Sequence, residues 1–166
     1  MRKSLTVLLL AAMALLAGCG AHTLEGSEYP VYFLNQDEDG VQALKAENRT
    51  LDPETEVVEG LLLAILSGPE SENLTNVIPA SVSLRGWTLQ NGLLTVDLSG
   101  SYGTLSGIDL TLADYSIVLT LSQLEEVEAV MITVEGQVLA YRDHQRLTTE
   151  DVRASILQEE TLENAE

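Results

Sequence analysis

The chain has 166 residues, with 26 Asp and Glu against 8 Lys and Arg, a formal balance of −18. That excess repels nucleic-acid phosphates and anionic lipid headgroups, so neither nucleic-acid binding nor electrostatic adsorption to a membrane is expected. One cysteine rules out an intramolecular disulfide, and one Trp, five Tyr and one Phe are too few for an aromatic-rich carbohydrate or base-stacking surface.

Arg2 and Lys3 precede the run Leu5–Leu16, apolar except for Thr6. The run is too short for a transmembrane helix, which needs about 20 residues. A charged start, a short apolar run and small residues at a cleavage region read as a secretory signal. Leu16-Ala17-Gly18-Cys19 resembles the lipobox of lipoprotein signal peptides. The resemblance implies diacylation of the Cys19 thiol, cleavage after Gly18 and attachment to the outer face of the cell membrane. One acyl chain holds a protein only marginally, at about 0.8 kcal/mol per buried CH₂, whereas two hold it stably. Residues 1–18 are therefore expected to be a signal peptide. The mature chain keeps 6 of the 8 basic residues against 26 acidic ones, a balance of −20.

Residues 19–28 are small and polar without periodicity and read as a tether. At about 3.3 Å per residue, Gly20–Glu28 reaches at most about 30 Å. Tyr29–Leu34 has the aromatic and branched content of a strand. Asn35–Gly40 is a polar turn, and Val41–Thr50 reads as a returning strand. A helix is expected next. Asp52 would cap it, Pro53 would take the first helical position, and Glu54 and Glu56 would favour its dipole. Val58, Leu61, Leu62, Ile65 and Leu66 follow helical spacing, and Gly68-Pro69 stops it. Glu70–Asn76 reads as a polar connection.

Val82–Leu89 reads as a strand with a bulge at Gly86. Asn91-Gly92 suits a tight hairpin turn with positive φ at both positions. Leu94, Val96 and Leu98 alternate with polar residues on the return strand. A second helix is expected near Thr111, with Asp114 completing an approximate capping box and Ile117, Val118, Leu121 and Leu124 buried. Val127–Val134 and Val138–Tyr141 read as strands about the Glu135-Gly136 turn. Thr148 would cap a short helix over 148–158, with Leu147 stapled onto Val152.

The order is strand, strand, helix, strand pair, helix, strand pair. It predicts an α+β fold, a two-layer α/β sandwich in which two helices pack on one face of a mixed, mostly antiparallel sheet. The domain is expected over 29–142, followed by an acidic, partly helical segment over 143–166.

Several segments together resemble the GerMN domain of sporulation and spore germination. They are Val31–Leu34, Leu66-Ser67-Gly68-Pro69, Ile78-Pro79, Asn91-Gly92 running into Thr95–Ser99, Ile117–Leu124, and Val130–Gly136. The resemblance spans about 29–140. It implies a two-layer α/β module, often carried by lipoproteins outside the cytoplasmic membrane and working by protein–protein assembly. The founding pattern has two tandem copies; this chain has one.

Catalytic constellations are poorly supplied. The two histidines, His22 and His144, lie in the tether and in a polar segment, neither placed to activate a serine. Asp97 sits between apolar strand neighbours and alternates to the face opposite Leu94, Val96 and Leu98. It reads as a solvent-facing or loop-bonding carboxylate, not a glycosidase acid. Asn35-x-Asp37-x-Asp39-Gly40 resembles the start of a calcium loop, but the twelfth position is Ala46 where a bidentate Glu is needed. No cofactor, metal or catalytic residue is assigned. The expected partners are the membrane, through lipid on Cys19, and an unidentified protein. A solute- or cell-wall-binding lipoprotein is the alternative, and would need a pocket with converging polar groups.

Overall fold

The computed structural model describes residues 27–36, 43–140 and 144–153. The first strand pair is β1 (Glu28–Asn35) with β2 (Leu44–Thr50), antiparallel from Glu28 opposite Thr50 to Leu34 opposite Leu44. Val31 and Phe33 alternate into the core at 0% and 1% exposure. A two-residue strand, β3 (Leu74–Thr75), pairs with the end of β1 and completes a sheet of order β2-β1-β3. This strand lies in a stretch expected to be a polar connection. Tertiary pairing with β1 makes it, since two residues carry no periodicity.

The second sheet has the order β4-β5-β6-β7, from β4 (Leu84–Gln90), β5 (Leu93–Leu98), β6 (Ala129–Val134) and β7 (Gln137–Val138). β4 and β5 form the hairpin expected at Asn91-Gly92, whose φ values of 50° and 76° are both positive. The pairing slips between Leu84 and Gly86, at the expected bulge. β5 and β6 run parallel.

Helix α1 (Val57–Ser67) buries Val58, Leu61, Leu62 and Ile65, as its spacing predicts, but it starts later than expected. The Asp52 carboxylate accepts from the Glu54 N–H at 2.9 Å, and the Thr55 N–H reaches the Asp52 carbonyl at 3.0 Å. Asp52-Pro53 thus closes a turn before the helix, and Glu56 is the boundary residue. Gly68, at φ 83°, ends α1, where its carbonyl accepts from Arg49 at 2.9 Å. The amide of Asn76 reaches the Ile65 carbonyl at 2.7 Å, satisfying a second open helix end group.

Helix α2 (Gly107–Leu121) buries Ile117, Val118 and Leu121 and begins at Ser106-Gly107, one turn before Thr111. Asp114 is therefore inside the helix and caps nothing. It is buried at 5% exposure and accepts the hydroxyl of fully buried Tyr102 at 2.7 Å, tying the 3₁₀ turn Gly100–Thr104 to α2.

The strands divide between two sheets where a single one was expected, and α2 supplies the reason. Thr120 accepts the Tyr32 N–H at 3.0 Å, Ser116 donates to the Tyr32 carbonyl, and Gln123 donates to the Pro30 carbonyl at 2.8 Å. Helix side chains occupy the edge of β1 that another strand would need. Each helix touches both sheets, and one hydrophobic cluster draws residues from all of them.

Residues 144–153 belong to that cluster. Leu147 exchanges two backbone hydrogen bonds with Val130, both 2.8 Å, and closes the part of β6 that short β7 leaves open. Thr148 and Asp151 bond reciprocally, the Thr148 N–H to the carboxylate at 2.8 Å and the Asp151 N–H to the hydroxyl at 3.3 Å. This cap starts the helical residues 149–153 and turns Val152 inward to 0% exposure.

Candidate interaction surface

Strict alternation on β5 gives the second sheet two chemically different faces. Leu94, Val96 and Leu98 are fully buried, while Leu93, Thr95 and Asp97 look outward and are half-buried. In β4, Trp87 opposes Val96 and Leu89 opposes Leu94 on the core side, leaving Thr88 and Gln90 beside Thr95 and Leu93 on the outer side. Met131 and Thr133 continue that outer face on β6. A depression of about 290 Å³ lies on it, lined by Thr88, Gln90, Asn91, Leu93, Thr95 and Arg146. Its rim is hydroxyl, amide and one guanidinium, in a chain with only 8 basic residues.

Asp97 shares this face and is fully engaged there. One carboxylate oxygen accepts from the Gly136 N–H at 2.7 Å and the Thr133 hydroxyl at 2.8 Å, and the other from Arg85 at 3.0 Å. Burial alone would raise its pKa; the bonds from Gly136, Thr133 and Arg85 outweigh it and hold the carboxyl below the usual range. A carboxylate pinned as an anion by three donors orders the β6–β7 turn and the bulged start of β4. As an anion it is a poor proton donor.

The sheet edges differ sharply. Helix side chains and β3 occupy the free side of β1, and Leu147 and β7 occupy that of β6. β2 is an outer strand carrying Lys45, Glu47 and Arg49, charges of the kind that blunt an edge. β4 is also an outer strand, and among the described residues no hydrogen bond reaches its outward backbone.

Glu47 and Arg49 hold the other end of the molecule together. The Glu47 carboxylate accepts from the Ser71 N–H at 2.7 Å, the Glu70 N–H at 3.1 Å and Arg49 at 2.9 Å. Burial raises its pKa, but bonds from the Ser71 side chain, the Glu70 N–H, Arg49 and the Ser71 N–H together lower it from 4.5 to about 2.

Cys19, His22 and the Asp37–Gly40 part of the candidate calcium loop lie outside the described residues. Asn35 ends β1, its N–H on the Ala43 carbonyl at 2.8 Å. His144 is exposed. Among the described residues no group of three or more His, Cys, Asp or Glu could hold a metal, and no helix is long and apolar enough to cross a membrane.

The family model for sporulation and spore germination matches residues 30–140. The chain belongs to the sporulation and spore germination family. Its α+β architecture is that of solved family structures. The tandem GerMN domains of the sporulation protein GerM from Bacillus subtilis superpose with a TM-score of 0.62 at 21% identity, covering 80% of this chain and 47% of theirs. The first GerMN domain of the same protein matches at 0.62 and 18% identity, over 75% of this chain and 99% of that one. This chain thus spans about half of the tandem structure. No curated protein matches. The family match ends at Ala140, so Leu147 and Val152 complete the core from outside it.

Proposed function

We propose that this chain is a membrane-tethered, extracytoplasmic assembly module of sporulating cells, which works by holding a protein partner and catalyses no reaction. The observation that carries the reading is the polar-rimmed depression on the outer face of the β4–β5 hairpin, in a domain of a sporulation family whose one strand carboxylate of interest is consumed by structure. The face offers hydroxyls, amides and Arg146 around Leu93, the mixed polar and apolar chemistry of a transient protein interface. A depression of about 290 Å³ is at the lower limit of a small-molecule pocket, so a docking surface fits it better than a solute site.

The address follows from Cys19. Acyl chains on its sulfur would hold a body whose own charge is repelled by anionic lipid, and the tether would let the domain stand clear of the headgroups. Replacing Cys19 with Ala is expected to move the protein from the membrane pellet to the soluble fraction on cell fractionation. A Cys19→Ala protein that still sediments with membranes would overturn the anchor.

A further inference from the structure

We infer that β4 is a homotypic docking strand: two copies of this chain pair β4 to β4, antiparallel, about a twofold axis at Thr88. The inference rests on the assembly reading above and names one partner for it, a second copy. Three observations lead there.

First, β4 is an outer strand whose outward backbone takes no hydrogen bond among the described residues, whereas side chains, short strands or residues 144–153 occupy the inner strands' free sides. An unpaired strand is a template for another strand. Second, the composition of β4, Leu-Arg-Gly-Trp-Thr-Leu-Gln, carries one charge, and Arg85 is already paired with Asp97. The competing edge, β2, carries Lys45, Glu47 and Arg49.

Third, the sequence is self-complementary in this register. With Thr88 opposite Thr88, Trp87 of each copy faces Leu89 of the other on the core side, giving two aromatic–aliphatic cross-strand pairs. Gly86 faces Gln90, and Arg85, in the bulge, and Asn91, in the turn, fall outside the pairs, so no like charges oppose. Cross-strand pairs of the aromatic–aliphatic type stabilise strand pairing beyond the backbone bonds. Trp87 and Leu89 are only half-buried in one copy, and pairing would cover them. The bulge between Leu84 and Gly86 lies outside the central pairs and does not break them.

At −20 per mature chain, two copies repel, so pairing must strengthen with salt. Raising ionic strength from about 0.01 M to about 1 M shortens the screening length from about 30 Å to about 3 Å.

The test is disulfide trapping in the full chain on membranes under mild copper–phenanthroline oxidation. Thr88 is exposed, and directly opposed strand residues have Cβ atoms about 4.5–5.5 Å apart, near the reach of a disulfide. Thr88→Cys is expected to give a covalent dimer, in higher yield at high salt. Ala46→Cys, exposed on β2, and the parent chain with Cys19 alone are expected to give several-fold less. No dimer from Thr88→Cys, or equal yields from positions 88 and 46, overturns the inference. Either result leaves the sheet-face reading standing, because Thr95 and Arg146 are tested separately.

Discussion

The double substitution Leu147→Ala and Val152→Ala is expected to lower unfolding free energy by about 3–5 kcal/mol, at about 0.8 kcal/mol for each buried methyl or methylene removed. Both side chains sit in the main hydrophobic cluster, at 7% and 0% exposure, although they lie beyond the span of the family match. Against a typical stability of about 5–15 kcal/mol, that loss is a large share. Urea titration followed by far-UV circular dichroism measures it, with Arg153→Ala as an exposed control expected to stay within about 0.5 kcal/mol. An unchanged midpoint in the double variant would show that residues 144–153 rest on the domain without contributing to it.

The second large effect is acid sensitivity centred on Glu47. Its carboxyl titrates at about 2 in the folded chain against 4.5 for the free group. A depressed carboxylate pKa adds stability that is complete above pH 4.5 and is lost as pH falls through about 2. Each tenfold change in proton affinity corresponds to about 1.4 kcal/mol, so Glu47, whose side chain is only 10% exposed, contributes about 3–4 kcal/mol at neutral pH. Asp97 and Asp151, also lowered, act in the same direction. Thermal melts from pH 7 to pH 2 are expected to show the steepest loss below pH 4.5. In Glu47→Gln, neutral-pH stability drops and the acid slope flattens. An unchanged slope would mean that the Glu47–Arg49–Ser71 junction does not hold β2 to the end of α1.

The parts of this fold that were legible in the sequence are those fixed by local chemistry. Asn91-Gly92 demands positive φ twice, Gly86 marks a bulge, the 58–66 and 117–124 spacings turn apolar stripes inward, and Thr148 starts the last helical turn. Helix starts were misplaced by competing local signals, and the sheet division depends on partners far away in sequence. Asp52-Pro53 has the composition of a helix start, yet the backbone bond from Thr55 to Asp52 spends it on a turn. The start of α2 has its own signal in the Ser106-x-x-Asp109 spacing, where a serine at the boundary and an acid in the first turn suit a helix N-terminus. The division into two sheets turns on Ser116, Thr120 and Gln123 reaching β1 across 84 to 93 residues, which no periodicity encodes.

The candidate surface was half legible. Alternation on β5 shows which face is bare, but the arrival of Arg146 beside Thr95 depends on the path of residues 144–153. Asp97 was legible as an outward carboxylate; its three donors come from a turn, a neighbouring strand and a bulge, and only the fold brings them together.

The proposed role places the working surface of a sporulation module on the outer sheet face. Spore yield in cells whose only copy carries Thr95→Glu with Arg146→Glu tests this most directly. Both positions face outward, so the protein is expected to accumulate at the normal level, with normal melting and membrane fractionation, while spore yield falls to that of cells lacking the gene. Full spore yield from that folded, correctly placed variant would contradict the proposed role.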